Sequence, residues 1–305
     1  MYKEIDYYSG MHNLINKELI DKSVIRVINS DYDYNYVSSK GIKGLREEIV
    51  KFSEINNISY HDVLITNSSS NSIKIIASLL NKGDTVLVEE FTYFGARDIF
   101  LNLGLNIVSV KLNSNGIDLD DLKEKIEKYN PKMIYVIPTF NNPSGVSWDE
   151  EIREGFISVI KNKEMIVIED DPYSLINFSD TNYTKLIELD NKIIYISSFS
   201  KYIAPGFSVG YIICKANILD KLYLIKKDDL CSNGFIEHVV LDYLKNNDLK
   251  MLIKEKMYIY KQCLNKSKRY LKSNGYDMVF IPSGGVFISI RKDNKIERFN
   301  ICYMK

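Results

Sequence analysis

Four polar residues stand out in the sequence because their types and their order along the chain suit an aldehyde cofactor. Asn142 opens an Asn-Pro-x-Gly turn, and Asp170 and Tyr173 follow a later apolar run. Lys201 comes next, at the end of a stretch rich in serine. An amine can bind an aldehyde, a carboxylate can pair with a ring nitrogen, and amide and phenol groups can donate to a phenolic oxygen. The set predicts pyridoxal phosphate chemistry.

Lys201 is the residue on which this hypothesis depends most. As a catalytic amine it would bind the cofactor aldehyde and later move protons on the substrate, which requires a partly neutral side chain. The site must therefore lower its pKa from about 10.4 by burial or by nearby cations. A lysine in a loop is by itself an ordinary exposed cation, and only the order of the preceding residues favours the catalytic interpretation.

Asp170 is the predicted partner of the ring nitrogen. It follows an apolar strand predicted over residues 165–168, and ligands of α/β proteins bind at the carboxyl ends of such strands. A carboxylate there would keep the ring protonated and so stabilise negative charge at the substrate Cα. Asp171 is the alternative, and Asp170 is preferred because Tyr173 then falls three residues later. A helix cap or a surface ion pair is the structural alternative for either acid.

Two further side chains are candidates for contacts with the cofactor ring. The Asn142 amide is a second donor to the phenolic oxygen, although Asn, Pro and Gly also make plain turns. Tyr93 follows a predicted strand and could stack on a flat ring. Phe91 and Phe94 compete with Tyr93 for that role, and simple packing is the alternative for all three.

A phosphate site is predicted from serines at the start of a helix. Residues 68–71, Ser-Ser-Ser-Asn, follow a predicted strand and open a helical pattern. Helix N-termini offer free N–H groups and a favourable dipole to an anion, although serine is also a common N-cap. The predicted phosphate donors are Ser69, Ser70, Ser198 and Ser200.

Short Val/Ile-rich runs alternate with amphipathic stretches over most of the chain, which predicts an α/β fold. The expected architecture is a three-layer sandwich around a mostly parallel seven-stranded sheet. Ser147 and Glu150 form a Ser-x-x-Glu pattern that predicts a capping box on one helix. The predicted strands are 63–66, 85–88, 107–110, 133–137, 165–168, 193–196 and 210–213.

The pattern changes after residue 213, where helical stretches precede two short strands around 278–290. We expect a large cofactor-binding domain over residues 36–225. Residues 1–35 and 226–305 would form a smaller, incomplete α+β domain.

Composition excludes several functional classes. Lysine plus arginine equals aspartate plus glutamate at 40 each, which argues against a dedicated nucleic-acid binder. No stretch approaches the apolar length of a membrane span, and the acidic start does not resemble a signal peptide. The four cysteines and three histidines are scattered and show no metal-binding spacing. We therefore expect a cytoplasmic protein with reduced thiols and no metal.

With these residues in order, the chain resembles the class I/II aminotransferases of the pyridoxal-phosphate fold-type I superfamily. The nearest groups are the aminoadipate and kynurenine aminotransferases and the aminotransferase-like domain of MocR regulators. The resemblance also includes Tyr36 and the Gly41 to Arg46 segment. Four segments carry most of it: 86–95, 142–145, 169–173 and 198–206.

The resemblance implies a transaminase that moves an amino group between an amino acid and a 2-oxo acid through a Schiff base on Lys201. It assigns the ring nitrogen to Asp170 and ring stacking to Tyr93. It also implies that Tyr36 reaches the phosphate of a neighbouring subunit, hence a homodimer, and that Gly10 lies near the substrate. It further implies that Asn142 and Tyr173 donate to the phenolic oxygen and that Ser69, Ser70 and Ser198 bind the phosphate.

Three departures from the family pattern bear on activity. Ser208 stands where the family has an arginine that pairs with the phosphate, and Phe91 replaces a proline. The chain also stops at Lys305, soon after its Pro-x-Gly-Gly segment, so we expect a shortened small domain without the arginine that clamps the substrate carboxylate. The alternative function is a non-catalytic pyridoxal-phosphate-binding protein, and the same fold also supports lyases and decarboxylases.

Overall fold

The computed structural model describes residues 15–179, 181–227, 232–292 and 295–301. The helices in this part of the chain are α1 (Lys17–Ile28), α2 (Lys43–Ser53), α3 (Ser69–Ala77), α4 (Phe94–Asn102), α5 (Leu119–Tyr129), α6 (Glu150–Ile160), α7 (Leu186–Leu189), α8 (Ala216–Lys226), α9 (Gly234–Asn246) and α10 (Leu249–Ser273). The strands are β1 (Val63–Thr66), β2 (Thr85–Glu89), β3 (Asn106–Val110), β4 (Leu112–Asn113), β5 (Gly116–Ile117), β6 (Met133–Val136), β7 (Ile166–Asp170), β8 (Ile194–Ser198), β9 (Gly210–Ile213), β10 (Asp277–Phe280), β11 (Phe287–Lys292) and β12 (Lys295–Asn300).

A seven-stranded sheet in the order β1-β9-β8-β7-β6-β2-β3 forms the centre of the molecule. The pairs β2–β3, β2–β6, β6–β7 and β7–β8 are parallel. Only β9 runs against its two neighbours, β1 and β8. The predicted mostly parallel, seven-stranded sheet is therefore confirmed.

Helices cover both faces of this sheet because its strands are apolar on both sides. Along β1, Val63 and Ile65 belong to one buried cluster and Leu64 belongs to the other, as the alternation of side chains along a strand requires. The first cluster includes Ile49 from α2. The second includes Phe100 from α4. The three-layer α/β architecture is confirmed.

Strands β1, β2, β6, β7 and β8 all point the same way, so their carboxyl ends lie at one edge of the sheet. The last residues of these strands and the segments that follow them contain every serine, tyrosine, asparagine, aspartate and lysine predicted for the cofactor except Tyr36. The topology alone therefore gathers residues that are far apart in sequence.

A second sheet of three antiparallel strands, β10-β11-β12, lies near the end of the described chain. Leu264 and Leu271 of α10 form a small buried cluster with Ile288 and Ile290 of β11. The sequence pattern predicted two of these strands and missed β12. The division into domains at residues 36 and 225 stays a prediction.

The predicted capping box on α6 was wrong. The helix begins at Glu150, with Asp149 at its N-cap position. Ser147 lies two residues before the N-cap, and its Oγ accepts a hydrogen bond from Phe140 N at 3.0 Å. The preceding turn thus uses the hydroxyl that the pattern assigned to the helix.

None of the helices described here is both long enough and apolar enough to cross a membrane.

Candidate active site

One cavity of about 200 Å³ lies at the carboxyl edge of the large sheet. The structure brings nine of the predicted site residues to its wall: Ser69, Ser70, Tyr93, Asn142, Asp170, Tyr173, Ser198, Ser200 and Lys201. Ser68, from the predicted phosphate segment, and Phe94, a competitor of Tyr93 for the stacking role, also line it. Side chains that the sequence did not single out complete the lining, namely Ile137, Pro172 and Phe287.

Asp170 lies at the end of β7, almost fully buried. Its Oδ2 accepts a hydrogen bond of 2.6 Å from Tyr135 Oη. Among the described residues its Oδ1 has no hydrogen-bond partner. Burial raises the pKa of Asp170 to about 7, against the lowering effects of the Tyr135 hydrogen bond and of the Lys201 charge. A buried carboxylate oxygen in the wall of a cavity is suited to a ligand that donates a hydrogen bond.

Asp171, the alternative acid, is placed differently. Its Oδ2 accepts from Tyr195 Oη at 2.9 Å and its Oδ1 accepts from Ser174 N at 2.9 Å. It does not line the cavity. Both of its oxygens are occupied by the protein, so the geometry favours Asp170 over Asp171 as the cavity acid.

Asn142 and Tyr173 form a pair of buried polar groups on one side of the cavity. Asn142 Nδ2 donates to Tyr173 Oη across 3.5 Å, a long contact. The Tyr173 ring packs edge-on against Phe287, with ring centres 6.0 Å apart. An amide and a phenol that sit this close can both donate to a single oxygen atom placed between them.

The N-terminus of α3 and a group of serines line another part of the cavity. Ser68 caps the helix by accepting a hydrogen bond from Asn71 N, 3.0 Å from its Oγ. Ser70 Oγ lies 3.4 Å from Tyr93 Oη. Across the cavity lining, Ser198 Oγ and Ser200 Oγ share a 2.7 Å hydrogen bond. Hydroxyl groups beside a helix N-terminus are suited to a phosphate.

Three aromatic residues competed for the stacking role, and two of them reach the cavity. Tyr93 and Phe94 line it, with their ring centres 5.1 Å apart. Phe91 instead packs edge-on against Phe280 of β10 at 5.9 Å. Gly95 makes room for the Tyr93 ring, since a Cβ at this position would lie 2.5 Å from its Cζ.

The turn that carries Asn142 rests on a buried glutamate. Glu89 accepts three hydrogen bonds, from Ile137 N at 2.7 Å, Asn141 Nδ2 at 2.8 Å and Trp148 Nε1 at 3.0 Å. Complete burial raises the pKa of Glu89 to about 8, although all three donors lower it. Through these bonds Glu89, at the end of β2, holds both ends of the turn, at Ile137 and Trp148. It also holds Asn141, the residue next to Asn142.

A buried arginine holds the same turn from the other side. Arg153 donates to Pro138 O at 2.7 Å and to Trp148 O at 3.0 Å, so one guanidinium bridges the start and end of the turn. It also donates to Thr139 Oγ1 and Thr184 O. Burial lowers the pKa of Arg153, while the nearby Glu169 and Glu150 raise it. The bonds to Pro138, Thr139 and Trp148 stabilise a fixed turn geometry, and the bond to Thr184 O ties the guanidinium to a separate loop.

Lys201 lies on a loop that has buried residues on both sides of it, Phe199 before and Tyr202 and Ile203 after. The residue ends a single 3₁₀ turn (Phe199–Lys201) directly after β8. Phe199 is buried, and its N–H donates to Val209 O at 2.9 Å. Ser208, which stands in place of the family arginine, is exposed with φ of 42°.

The structure places one predicted site residue away from the cavity and does not describe another. Tyr36 is 93% exposed and does not line it. Gly10 lies outside the described residues. Their proposed roles therefore rest on the sequence alone.

The sequence interpretation missed Tyr135, which holds Asp170. A signal was present, because a tyrosine in the middle of the buried run Met-Ile-Tyr-Val-Ile needs an acceptor for its hydroxyl. The sequence did not show which acceptor it finds, since Asp170 lies 35 residues further along the chain.

The side chains around the cavity fit pyridoxal phosphate. Asp170 Oδ1, buried and without a partner among the described residues, suits the ring nitrogen, and the Lys201 amine suits the aldehyde. The Asn142–Tyr173 pair suits the phenolic oxygen, and the α3 N-terminus suits the phosphate. Fold and cavity together define a pyridoxal-phosphate enzyme of fold type I.

The chain belongs to the aminotransferase class I and II family, whose model matches residues 16–295. It is an enzyme of the pyridoxal-phosphate-dependent aminotransferase class, and its cofactor is pyridoxal 5'-phosphate.

Similar proteins and structures are also aminotransferases. The chain is 28% identical to aromatic-amino-acid aminotransferase 1 of Thermococcus litoralis over 288 residues, 90% of this chain and 68% of that protein. It is 26% identical to 2-aminoadipate transaminase of Thermus thermophilus over 294 residues, 90% of this chain and 71% of that protein. The crystal structure of kynurenine aminotransferase from Pyrococcus horikoshii superimposes with a TM-score of 0.91 at 26% identity, covering 97% of this chain and 85% of that one.

Proposed function

We propose that this enzyme transfers an amino group between an amino acid and a 2-oxo acid, with Lys201 as the amine that carries the cofactor and as the proton carrier. One observation supports this most strongly. The same cavity is lined by Lys201, by Asp170, whose Oδ1 has no hydrogen-bond partner among the described residues, and by the Asn142–Tyr173 pair.

In this proposal each side chain has a separate task. Asp170 faces the ring nitrogen and keeps its proton in place. Asn142 and Tyr173 donate to the phenolic oxygen, and the Tyr93 ring stacks on the cofactor ring. The phosphate is bound by Ser69, Ser70, Ser198 and Ser200 together with the α3 N-terminus.

Bound pyridoxal phosphate supplies an aldehyde that condenses with amines and a ring that withdraws electrons from the substrate Cα. Lys201 Nζ acts as the base that takes the α proton, and it must be neutral to do so. A carboxylate at Asp170 favours a positive charge on the ring and thereby helps the α proton to leave. Burial of Asp170 and of the donor pair strengthens these interactions, because little water competes with them.

The proposed assembly is a homodimer in which Tyr36 reaches the phosphate site of the partner. Its supports are the resemblance described above and the 93% exposure of this tyrosine in the single chain. An exposed tyrosine that does not serve its own cavity is available to a second copy.

The first test is an absorbance spectrum of the purified protein with added pyridoxal phosphate, beside Lys201→Ala. We expect a visible band in the parent that is absent in the variant. Lys163→Ala, at an exposed lysine after α6, is the matched control and should keep the band. A variant that forms the same band without Lys201 would contradict the proposal.

The second test adds amino donors to the loaded parent enzyme. The panel contains aromatic amino acids, kynurenine, 2-aminoadipate, alanine and glutamate, the first three chosen from the names of the relatives. We expect at least one donor to bleach the visible band and to yield its 2-oxo acid, and a 2-oxo acid to restore the band. Cofactor binding without conversion by any donor would support the non-catalytic alternative instead.

The dimer proposal is tested by co-expressing Lys201→Ala with Tyr36→Ala. In a mixed dimer with shared sites, one site carries both substitutions and the other carries neither. We expect each variant to have little activity alone and the mixed dimer to recover a substantial part of it. No recovery in a purified mixed dimer would place Tyr36 outside the partner's site.

A further inference from the structure

A buried tyrosine on β6 contacts the acid that we assign to the ring nitrogen. We infer that Tyr135 is a positioning residue, which holds Asp170 as a carboxylate and turns its Oδ1 into the cavity. The inference rests on the proposed function of Asp170. Tyr135 lines no part of the cavity itself and acts only through Asp170.

The geometry of neighbouring strands explains the contact. Tyr135 of β6 pairs in register with Ile168 of β7, and both side chains lie in the same buried cluster. Asp170 is two residues beyond Ile168, so it points to the same face of the sheet. The Tyr135 hydroxyl therefore reaches along the face to Asp170 Oδ2, 2.6 Å away. Phe100 packs edge-on against the Tyr135 ring at 5.8 Å and limits its movement.

The hydrogen bond matters because Asp170 is almost fully buried. A buried carboxylate without a hydrogen-bond donor tends to take up a proton. Once protonated, it is a poorer acceptor for the N–H of the cofactor ring. The Tyr135 bond favours the ionised form, and it occupies one oxygen so that the other faces the ligand. Burial raises the pKa of Tyr135 well above its ordinary value, and the Asp170 charge raises it further. Tyr135 thus stays a donor at every working pH.

The charged and titratable groups around this pair come from several elements. Asp171 raises the pKa of Asp170, while Lys201 lowers it. On the Tyr135 side, Tyr93 and Glu89 both raise the pKa of the phenol. Of these groups, the Tyr135 hydroxyl donates a hydrogen bond of 2.6 Å to Asp170 Oδ2.

The chain contains a matched control on the other side of β7. Tyr195 of β8 is also buried, and it donates to Asp171 Oδ2 at 2.9 Å. Its ring lies in the cluster on the opposite face of the sheet, and Asp171 does not line the cavity. Tyr135→Phe and Tyr195→Phe each remove one hydroxyl from a buried tyrosine–aspartate pair. Their costs in stability should be similar, and their effects on cofactor binding should differ.

The experiment measures the dissociation constant of pyridoxal phosphate for the parent and both variants between pH 5.5 and 8.5. A charge-assisted hydrogen bond is lost in Tyr135→Phe, so we expect affinity to weaken about tenfold or more. The pH at which affinity is half-maximal should rise by about one unit, because the Asp170 proton is held more tightly. Tyr195→Phe should stay within about twofold of the parent, with an unchanged midpoint.

The same substitution is also made in a variant whose acid has been replaced. In Asp170→Asn, which cannot titrate, Tyr135→Phe should no longer change cofactor affinity or its pH dependence. If Tyr135→Phe and Tyr195→Phe lost equal amounts of pyridoxal phosphate affinity, the inference would be overturned. A lower melting temperature in Tyr135→Phe, with parent-like cofactor affinity and midpoint, would do the same and leave a structural role only.

A measurement on unmodified Tyr135 covers the case in which Tyr135→Phe does not fold. Difference infrared spectra between the parent and Asp170→Asn report whether Asp170 is ionised in the cofactor-free protein. We expect the carboxylate bands at pH 8.5, and a protonated acid at that pH would overturn the inference. A parent that binds no pyridoxal phosphate at all would instead sink the proposed function, so the two failures are distinguishable.

Discussion

Two segments at the same edge of the sheet hold the proposed cofactor ligands in opposite ways. The turn over residues 138–148 carries Asn142, and the loop over residues 199–208 carries Lys201. The turn is clamped by a buried acid and a buried base, Glu89 and Arg153, through several hydrogen bonds. The loop has apolar anchors, Phe199, Tyr202 and Ile203, and its far end at Gly206 and Ser208 is exposed.

The difference matches what each ligand has to do. A donor to the phenolic oxygen works best from a fixed position, since reorganisation weakens electrostatic stabilisation. An amine that first binds the cofactor and later carries a proton needs several side-chain positions. We infer that a dense buried polar network suits the first task and an apolar, partly exposed attachment suits the second.

The second sheet adds to the clamping of the turn. Ser289 of β11 is buried, and its Oγ donates to Pro143 O and Ser144 O, both at 3.1 Å. Gly145 lies against the same strand, where an added Cβ would be 3.0 Å from Phe287 O. The turn is thus held from three directions, by β2, by α6 and by β11.

The largest expected effect comes from breaking the basic clamp. Arg153→Met leaves the carbonyls of Pro138, Trp148 and Thr184 without this donor, and removes the charge opposite Glu169. Removing a fully buried charge that makes several hydrogen bonds lowers the free energy of unfolding by about 3–5 kcal/mol. Trp148 is the single tryptophan of the chain, so its fluorescence during urea unfolding reports on this turn directly.

Arg26→Met is the control for this prediction. Arg26 pairs with Asp242 on the surface, with its side chain 42% exposed, and such pairs contribute less than about 1 kcal/mol. If Arg153→Met destabilised the protein no more than Arg26→Met, the turn would not depend on its buried clamp, and the contrast with the lysine loop would fail.

A smaller loss is expected from the acidic clamp. In Glu89→Gln, one carboxylate oxygen is replaced by an NH₂ group, which cannot accept a hydrogen bond. At least one of the bonds from Ile137, Asn141 and Trp148 is therefore lost. The expected cost of Glu89→Gln is about 2 kcal/mol in the free energy of unfolding at pH 5. Urea unfolding of parent and variant, followed by the same tryptophan, measures it.

The pH dependence of this cost has a definite sign. Burial raises the folded-state pKa of Glu89 to about 8, so the folded parent holds a proton that the unfolded chain releases above about pH 4.5. The parent therefore loses stability as pH rises from about 4.5 to 8, and the variant lacks this contribution. The gap in the free energy of unfolding between parent and variant should narrow toward pH 8. A gap that stays constant between pH 5 and 8 would show that the three donors keep Glu89 ionised in the folded protein.

Local patterns in the sequence predicted the sheet and the order of the site residues. Runs such as 63–65 and 211–213 are apolar throughout, which is typical of strands buried on both faces. Because parallel strands end at one edge, the residues after them were expected to meet there. Asn142, Asp170 and Lys201 do line one cavity.

The supports of these residues could not be predicted in the same way. The contacts of Glu89 with Asn141 and with Trp148 span 52 and 59 positions of sequence. A single sequence shows that a buried acid needs donors but not which ones. Ser147 shows the opposite error, in which a local pattern predicted a contact that does not form. Its hydroxyl accepts a hydrogen bond from Phe140 N within the turn and does not cap the helix.

The smallest expected effects come from one matched pair of glycines, which tests the contrast between the two segments directly. Gly145 of the turn has φ of 78°, and an added methyl group would press on Phe287 O and Pro282 Cβ, each 3.0 Å away. Gly206 of the loop has no atom within 4 Å of an added Cβ. We expect Gly145→Ala to lower the free energy of unfolding by about 1–2 kcal/mol. Gly206→Ala should leave it unchanged or raise it by up to about 1 kcal/mol.

Cofactor affinity separates the glycine variants further. Gly145→Ala should also weaken pyridoxal phosphate binding, because it displaces the turn that carries Asn142, while Gly206→Ala should bind it as the parent does. Titration of the visible band measures both. Equal sensitivity of the two positions would mean that the loop is as tightly packed around its lysine as the turn is around its asparagine. The proposed division between a fixed donor and a movable amine would then have no structural basis.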